Sequence, residues 1–238
     1  MALARLIRDG EAQRYLAEVC PQAGFALCAH QDGLKAGWDG GNDFLWAHGS
    51  PFEAIGGWPA WRAVGAEARA ILRGALLAHP WYNLEAALRA WGQQLLTFGT
   101  GSGLGADIWA TIPLRERIQA RFPADYPALL SARQYLTHLH LRPLSLFHQT
   151  VLAAFMLAGL WQLARGWRLS TPAAALLFLV TIGAVVNGGI TAIFSNPDDR
   201  YQARLVWLFI PAVFFLWVQS GRLRGGREKS NGHLGSLC

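Results

Sequence analysis

The chain has 238 residues, of which 53% are hydrophobic and only 15% are charged, well short of the roughly 25% charged residues usual in a soluble domain. Its net charge of +6 is unevenly placed, with 13 Lys+Arg against 12 Asp+Glu in residues 1–142 and 8 against 3 in residues 143–238. The basic excess flanks the most apolar part of the chain, and no basic stripe with interleaved aromatics lies elsewhere, so the charge reads as a membrane-topology signal and argues against nucleic acid as a partner.

In chain order, Ala12, Tyr15, Leu16 and Val19 share one face of a helix. Cys20 and Cys28 follow in CPQAGFALC, with Pro21 and Gly24 between them to turn the chain back. In an oxidising compartment this pair can close a small disulfide loop. The alternatives are two separate buried thiols or half of a metal site. The spacing matches no zinc signature and no second cysteine pair exists, so no metal is assigned. Residues 21–61 are rich in Gly, Asp and Trp and show no sustained period. A stretch of that length is either functional or folded by its own aromatics. Within it, Asp39 and Asp43 with Trp38 and Trp46 make a candidate sugar-binding surface, because aromatic faces stack on sugar rings and carboxylates bond hydroxyls. The plainer reading is a loop of Asx-turns with its aromatics tucked onto the core.

Helical spacing then returns. Ala68, Ile71, Leu72, Ala75 and Leu76 form one apolar stripe, with Arg69 and Arg73 off it. Beyond His79-Pro80, Trp81, Leu84, Leu88, Trp91 and Leu95 form a second, with Glu85 and Arg89 set for an i,i+4 pair. The two helices are expected to pack as a hairpin or to lie on a membrane surface. GTGSGLG at 99–105 has no preceding strand and no following Lys-Ser/Thr, so it reads as a Gly-rich helix end and turn. Pro113, and Asp125 with Pro127, open two short helices over 114–122 and 126–139. His138 and His140 point apart on a helix and, with His148, give no shared metal site. No nucleophile elbow, HExxH, Walker or dinucleotide fingerprint occurs, so neither a cofactor nor catalytic residues are assigned.

Three apolar runs follow, at about 144–164, 173–194 and 203–219, each near the ~20 residues that cross a ~30 Å hydrocarbon layer as a helix. Pro211 is placed to kink the third. Asn187 and Gln162 inside the runs are expected to bond neighbouring helices. The loop after the first run carries Arg165 and Arg168 without an acid, and the tail carries Arg222, Arg224, Arg227 and Lys229 against Glu228. By the positive-inside rule both are cytoplasmic, which puts the loop at 197–202 and residues 1–143 outside. No signal peptide is legible in the first thirty residues, so an external domain implies upstream membrane helices; the alternative is that the rule misleads here and the domain is cytoplasmic. In the outside loop, Asp198 or Asp199 could hold a divalent metal or act as a base, and Arg200 and Arg204 could fork onto a lipid phosphate. The plainer reading is interfacial anchoring with the charges paired among themselves.

The pieces CPQAGFALCAH, NDFLW, SPFEAIGGW and DRYQARLVWL resemble the C-terminal region of bacterial polytopic membrane proteins. Some of these are similar in layout to the membrane glycosyltransferases that use polyprenyl-phosphate sugars. In that family an essential acidic residue sits between the first two membrane helices, and no such loop is identifiable here. The resemblance therefore implies a catalytic centre upstream of Met1 and a location in the bacterial inner membrane. It implies that residues 21–61 face a lipid-linked sugar and that Arg200 and Arg204 touch its phosphate. The rival readings are a membrane-anchored module that binds another envelope protein, and an inactive fragment of a larger one. The expected fold is mainly α: a helical extramembrane domain at 1–143, three transmembrane helices within 144–220, and a basic tail at 221–238.

Overall fold

The computed structural model describes residues 2–20, 22–37, 40–101, 111–133, 136, 139–164 and 172–219. Asp39, Trp38, His138, Arg165, Arg168 and the basic tail lie outside them. The described residues are mainly helical and contain no strand. In order they form α1 (Ala2–Arg8), α2 (Glu11–Val19), a 3-10 segment (Ala26–Gly33), α3 (Gly40–Trp46), α4 (Pro51–Ala54), α5 (Trp61–Ala78), α6 (Pro80–Leu96), α7 (Thr111–Arg121), α8 (Tyr126–Ser131), α9 (Arg142–Ala164), α10 (Pro172–Phe194) and α11 (Asp199–Val206).

One apolar core is built around α1. Leu3, Leu6 and Ile7 are buried there with Leu16 of α2, Leu27, Phe44, Phe52 and Ile71. The expected face of α2 is the one that packs, and Gly74 lets α5 approach so closely that a Cβ there would collide with the Tyr15 ring. Gly10, at φ 81°, turns the chain between α1 and α2 in a conformation that glycine adopts without strain. A Cys20–Cys28 disulfide, with Cα atoms 5.6 Å apart, ties the end of α2 to the 3-10 segment. The start of that segment is held from α5: Glu67 accepts from the N–H groups of Ala26 (2.9 Å) and Leu27 (2.8 Å).

Residues 21–61 are not one long loop. They hold three short helical pieces, too brief for a helical period to show. Ser50 caps α4 by accepting from the Glu53 N–H at 3.2 Å, and Pro51 supplies its first residue. Aromatic contacts fill the space between the pieces: Phe52 meets Phe44 and Trp58 edge-on at 5.7 and 5.0 Å, and Trp46 lies 5.2 Å from Trp58.

α5 follows its stripe, burying Ile71 and Ala75 in the first core. α6 departs from the hairpin expectation, because its main neighbour is α10 rather than α5. Further on, α8 stops at Ser131 instead of running to 139. The Ser131 hydroxyl donates to the Ala128 carbonyl at 3.0 Å and Ala132 is extended, the local competition by which serine ends helices.

Three helices are long and apolar enough to cross a membrane: Arg142–Gln162, Pro172–Phe194 and Asp199–Gln219. The third is interrupted by a turn at Trp207 and Leu208. Pro211 explains the position, since it cannot donate to the carbonyl four residues earlier, that of Trp207. The Trp207 carbonyl is taken instead by the Ile210 N–H, at 3.1 Å. These helices share a second core of Leu152, Leu177, Val206, Phe209, Val213 and Leu216. Gly159 brings α9 within van der Waals reach of Val213, to which a Cβ would lie 2.9 Å away.

Candidate functional site

Where α6, α10 and α11 meet, a polar network takes up Asp198 and its neighbours, part of the set expected to do chemistry. Gln94 is fully buried and its amide pairs with the backbone of Asp198 in both directions, donating to the carbonyl at 3.0 Å and accepting from the N–H at 2.8 Å. Gln202, equally enclosed, donates to the Ala184 carbonyl at 2.9 Å and accepts from Asn187 at 3.0 Å. Asn187 also donates to the Tyr201 carbonyl at 3.0 Å, so its bonds run from helix to helix. Inside a bilayer such amides must be satisfied by protein.

The four charged residues of the 197–202 loop and its helix each have a definite place. Asp198 is the N-cap of α11, accepting from the Arg200 N–H at 3.0 Å. Asp199 accepts from the Gly99 N–H at 2.5 Å, and Ser145 accepts from that of Thr100 at 3.1 Å, so the two side chains hold the glycine-rich turn after α6. Only Gly fits at 99, where a Cβ would lie 2.8 Å from both the Asp199 and Ser145 oxygens. The Arg200 guanidinium stands 3.5 Å from Asp198 and lies over the Tyr201 ring at 5.2 Å. Arg204 is exposed.

Asp43 lies elsewhere, in a cavity of about 420 Å³ between the 3-10 segment, α3 and the turn into α4. His30, Asp32, Lys35, Asp43 and His48 line it, together with Gly33, Leu34, Gly49 and Ser50; Asp198, Asp199, Arg200 and Arg204 do not. The sequence reading singled out Asp43 but missed His30, Asp32, Lys35 and His48, which come together only because α4, reached through α3, packs on the 3-10 segment. A legible signal was Ser50-Pro51-Phe52-Glu53, a helix start that fixes the turn bearing His48. There the Glu53 carboxylate accepts from the Gly49 N–H at 2.6 Å and lies 3.2 Å from His48 Nδ1. The Gly49 bond, then the His48 bond, hold the Glu53 carboxyl below the usual carboxylate range. A neighbouring cavity of about 290 Å³ shares His48 and is lined by Trp46, Trp58, Glu53 and Glu116.

A second missed feature is a buried ionic cluster in and after α1. Asp9 pairs with Arg5 at 3.0 Å and with Arg8 at 2.7 Å, and both arginines are almost fully enclosed. Arg5 also reaches the Ile193 carbonyl at the end of α10, at 3.5 Å. Burial pushes the Arg5 guanidinium down, opposed chiefly by the Asp9 charge. Beside the cluster, Gly41 lets α3 close on α1 and on the 194–198 turn; a Cβ there would lie 2.5 Å from the Ala4 carbonyl and 2.9 Å from the Asn196 amide. The cluster thus ties the first core to the Phe194 end of α10.

Among the described residues no group of three His, Cys, Asp or Glu side chains is arranged to hold a metal ion. No family model matches the chain, and neither a curated protein nor a solved structure matches it.

Proposed function

We propose that the chain is a membrane protein of the bacterial cell envelope whose N-terminal helices hold the sugar of a polyprenyl-phosphate-linked substrate, as the C-terminal part of a glycosyltransferase-like protein. The observation that carries this is the cavity lined by His30, Asp32, Lys35, Asp43 and His48. Its volume lies in the lower range of small-ligand pockets, about 300–1,000 Å³. Carboxylates, imidazoles and an ammonium around one space suit a polyhydroxylated ligand, which offers donors and acceptors on every side. The Trp46–Trp58 pair beside it offers an aromatic wall. Arg200 and Arg204 lie four residues apart on α11, at the start of the third apolar helix, the level at which a lipid phosphate would lie. In this reading the domain is extracytoplasmic, in keeping with a disulfide, and the reacting centre belongs to an upstream membrane-helix portion. A native product about twice the 26.1 kDa of this chain, detected in membranes with an antibody against the tail, is the expected result.

The binding test uses the chain in detergent and a polyprenyl-phosphate hexose, followed by tryptophan fluorescence. Asp32→Asn with Asp43→Asn should weaken binding about tenfold or more, since each loses a charge-assisted hydrogen bond. Arg200→Gln with Arg204→Gln should weaken it without disturbing membrane insertion. Equal affinity across all variants sinks the proposal. A second reading, a module that binds another envelope protein, draws on one observation. Trp58 and Trp61 are exposed at the rim of an apolar cavity of about 390 Å³, floored by Leu3, Phe44 and Phe52. It expects a complex in mild detergent that survives the arginine changes and is lost with Trp61→Ser.

A further inference from the structure

α6 is built the wrong way round for a helix in water. Its buried residues are Asn83, Ala90 and Gln94, two of them amides whose bonds go to protein carbonyls: Asn83 to Ala75 and His79, Gln94 to Thr97 and Asp198. Its apolar stripe lies on an adjoining face, about a third of a turn round the helix, and has two fates. Trp91 and Leu95 are covered by α10. The Trp91 indole donates to the Val185 carbonyl at 2.9 Å, and a Cβ at Gly188 would lie 3.1 Å from Leu95. Trp81, Leu84 and Leu88 remain 79%, 48% and 53% exposed, and Leu77, at the end of α5, is 71% exposed.

The level at which α6 meets α10 decides what covers the rest of the stripe. At 1.5 Å per residue, Val185 lies about 14 Å and Gly188 about 9 Å before the end of α10 at Phe194. A hydrocarbon layer of about 30 Å occupies about 20 residues of a helix, nearly all of Pro172–Phe194. Val185 and Gly188 therefore lie within that layer, and so do the side chains packed on them. We propose that α6 is itself a lipid-facing element, wedged against α10, with Leu88, Leu84 and Trp81 in the acyl-chain and headgroup region of the outer leaflet. The proposal rests on α10 spanning the bilayer.

The polar groups of α6 fit this position. On the flank of the stripe Glu85 and Arg89 are bridged at 2.6 Å, so neither charge meets the interface alone. The Trp91 N–H, which would be costly in hydrocarbon without a partner, has the Val185 carbonyl. Glycines at 188 and 189 allow the close approach that helices in membranes use for packing.

The test attaches nitroxides to single cysteines at Leu84, Leu88 and Leu77, in chains with Cys238→Ser and the Cys20–Cys28 disulfide intact, reconstituted in lipid nanodiscs. Collision with oxygen, which enters lipid, is compared with collision with a water-soluble nickel chelate. Leu179, 65% exposed on α10, and Trp58, 49% exposed between α4 and α5, serve as lipid and water references. The expected result is oxygen access and nickel exclusion at 84 and 88, as at 179. Nickel access equal to that at 58 overturns the proposal. Exclusion of both reagents also overturns it, because it would mean that protein covers the face. Nickel access at 179 would remove the spanning helix beneath it, a failure distinct from that of α6 alone.

Discussion

Among the single residues, Asp9 carries more than its position near the chain start suggests. Among the described residues it is the carboxylate paired with both Arg5 and Arg8, themselves buried. Asp9→Asn leaves two enclosed guanidinium groups without a counter-charge and should destabilise the chain by about 3–5 kcal/mol, the usual result of breaking a buried pair. Thermal unfolding in detergent measures this, and a shift too small to resolve would mean that water reaches the cluster. Glu53 gives a pH-dependent counterpart. Its folded-state carboxyl lies below the usual range because of the Gly49 N–H and His48. The stability it adds is therefore complete above its ordinary value and is lost as pH falls through the lowered one. The Gly49 amide resonance should move over that acidic window, and Glu53→Gln should flatten the movement. The pairing of Asp9 was not legible beforehand. In the sequence Arg5, Arg8 and Asp9 spoke only against a signal peptide, because nothing local in MALARLIRDG reveals that the end of α10 packs beside it.

Among the elements, the long apolar runs were the most legible, since a stretch of that length and composition has few other uses. The short pieces between 21 and 61 were not, being held by long-range contacts such as Glu67 to Ala26 and by aromatics in no periodic order. The second stripe was legible as a helix but not in what it packs against, because a row of Trp and Leu looks the same facing a core, a neighbouring helix or lipid. The α6–α10 contact has its own prediction. A Cβ at Gly189 would lie 3.3 Å from the Trp91 indole nitrogen, so Gly189→Ala should be tolerated with a small shift. Gly189→Leu should force α6 away and expose Trp91, a loss of about 1–3 kcal/mol by overpacking. Unchanged indole fluorescence and unchanged unfolding in the leucine variant would contradict the packing.

Across the whole molecule, two apolar cores are joined along α10 by α1, α6 and the turn at 194–198. Orientation is the property of the whole that the native cysteines can report. Cys20 and Cys28 are bonded to one another, and the sequence has only one further cysteine, Cys238. In spheroplasts an impermeant maleimide should label the chain only after reduction, with two labels, and a third should appear on lysis. Labelling of Cys238 before lysis would reverse the proposed topology. The sequence pointed to an external domain through Arg165, Arg168 and the basic tail, but that domain's seat against α10 depends on side chains far apart in the chain.

The bond between Gln94 and Asp198 joins positions 104 residues apart. During synthesis the end of α6 is made long before the turn that satisfies it. In that interval the Gln94 amide has only the nearby Thr97 carbonyl and the Gly99 N–H lacks Asp199, and two apolar helices must be threaded before the rest of the bonds form. Maturation of the first half therefore waits on completion of the second. A chain arrested after the first span would present α6 unfinished, an exposed signal by which quality control can tell an immature product from a finished one.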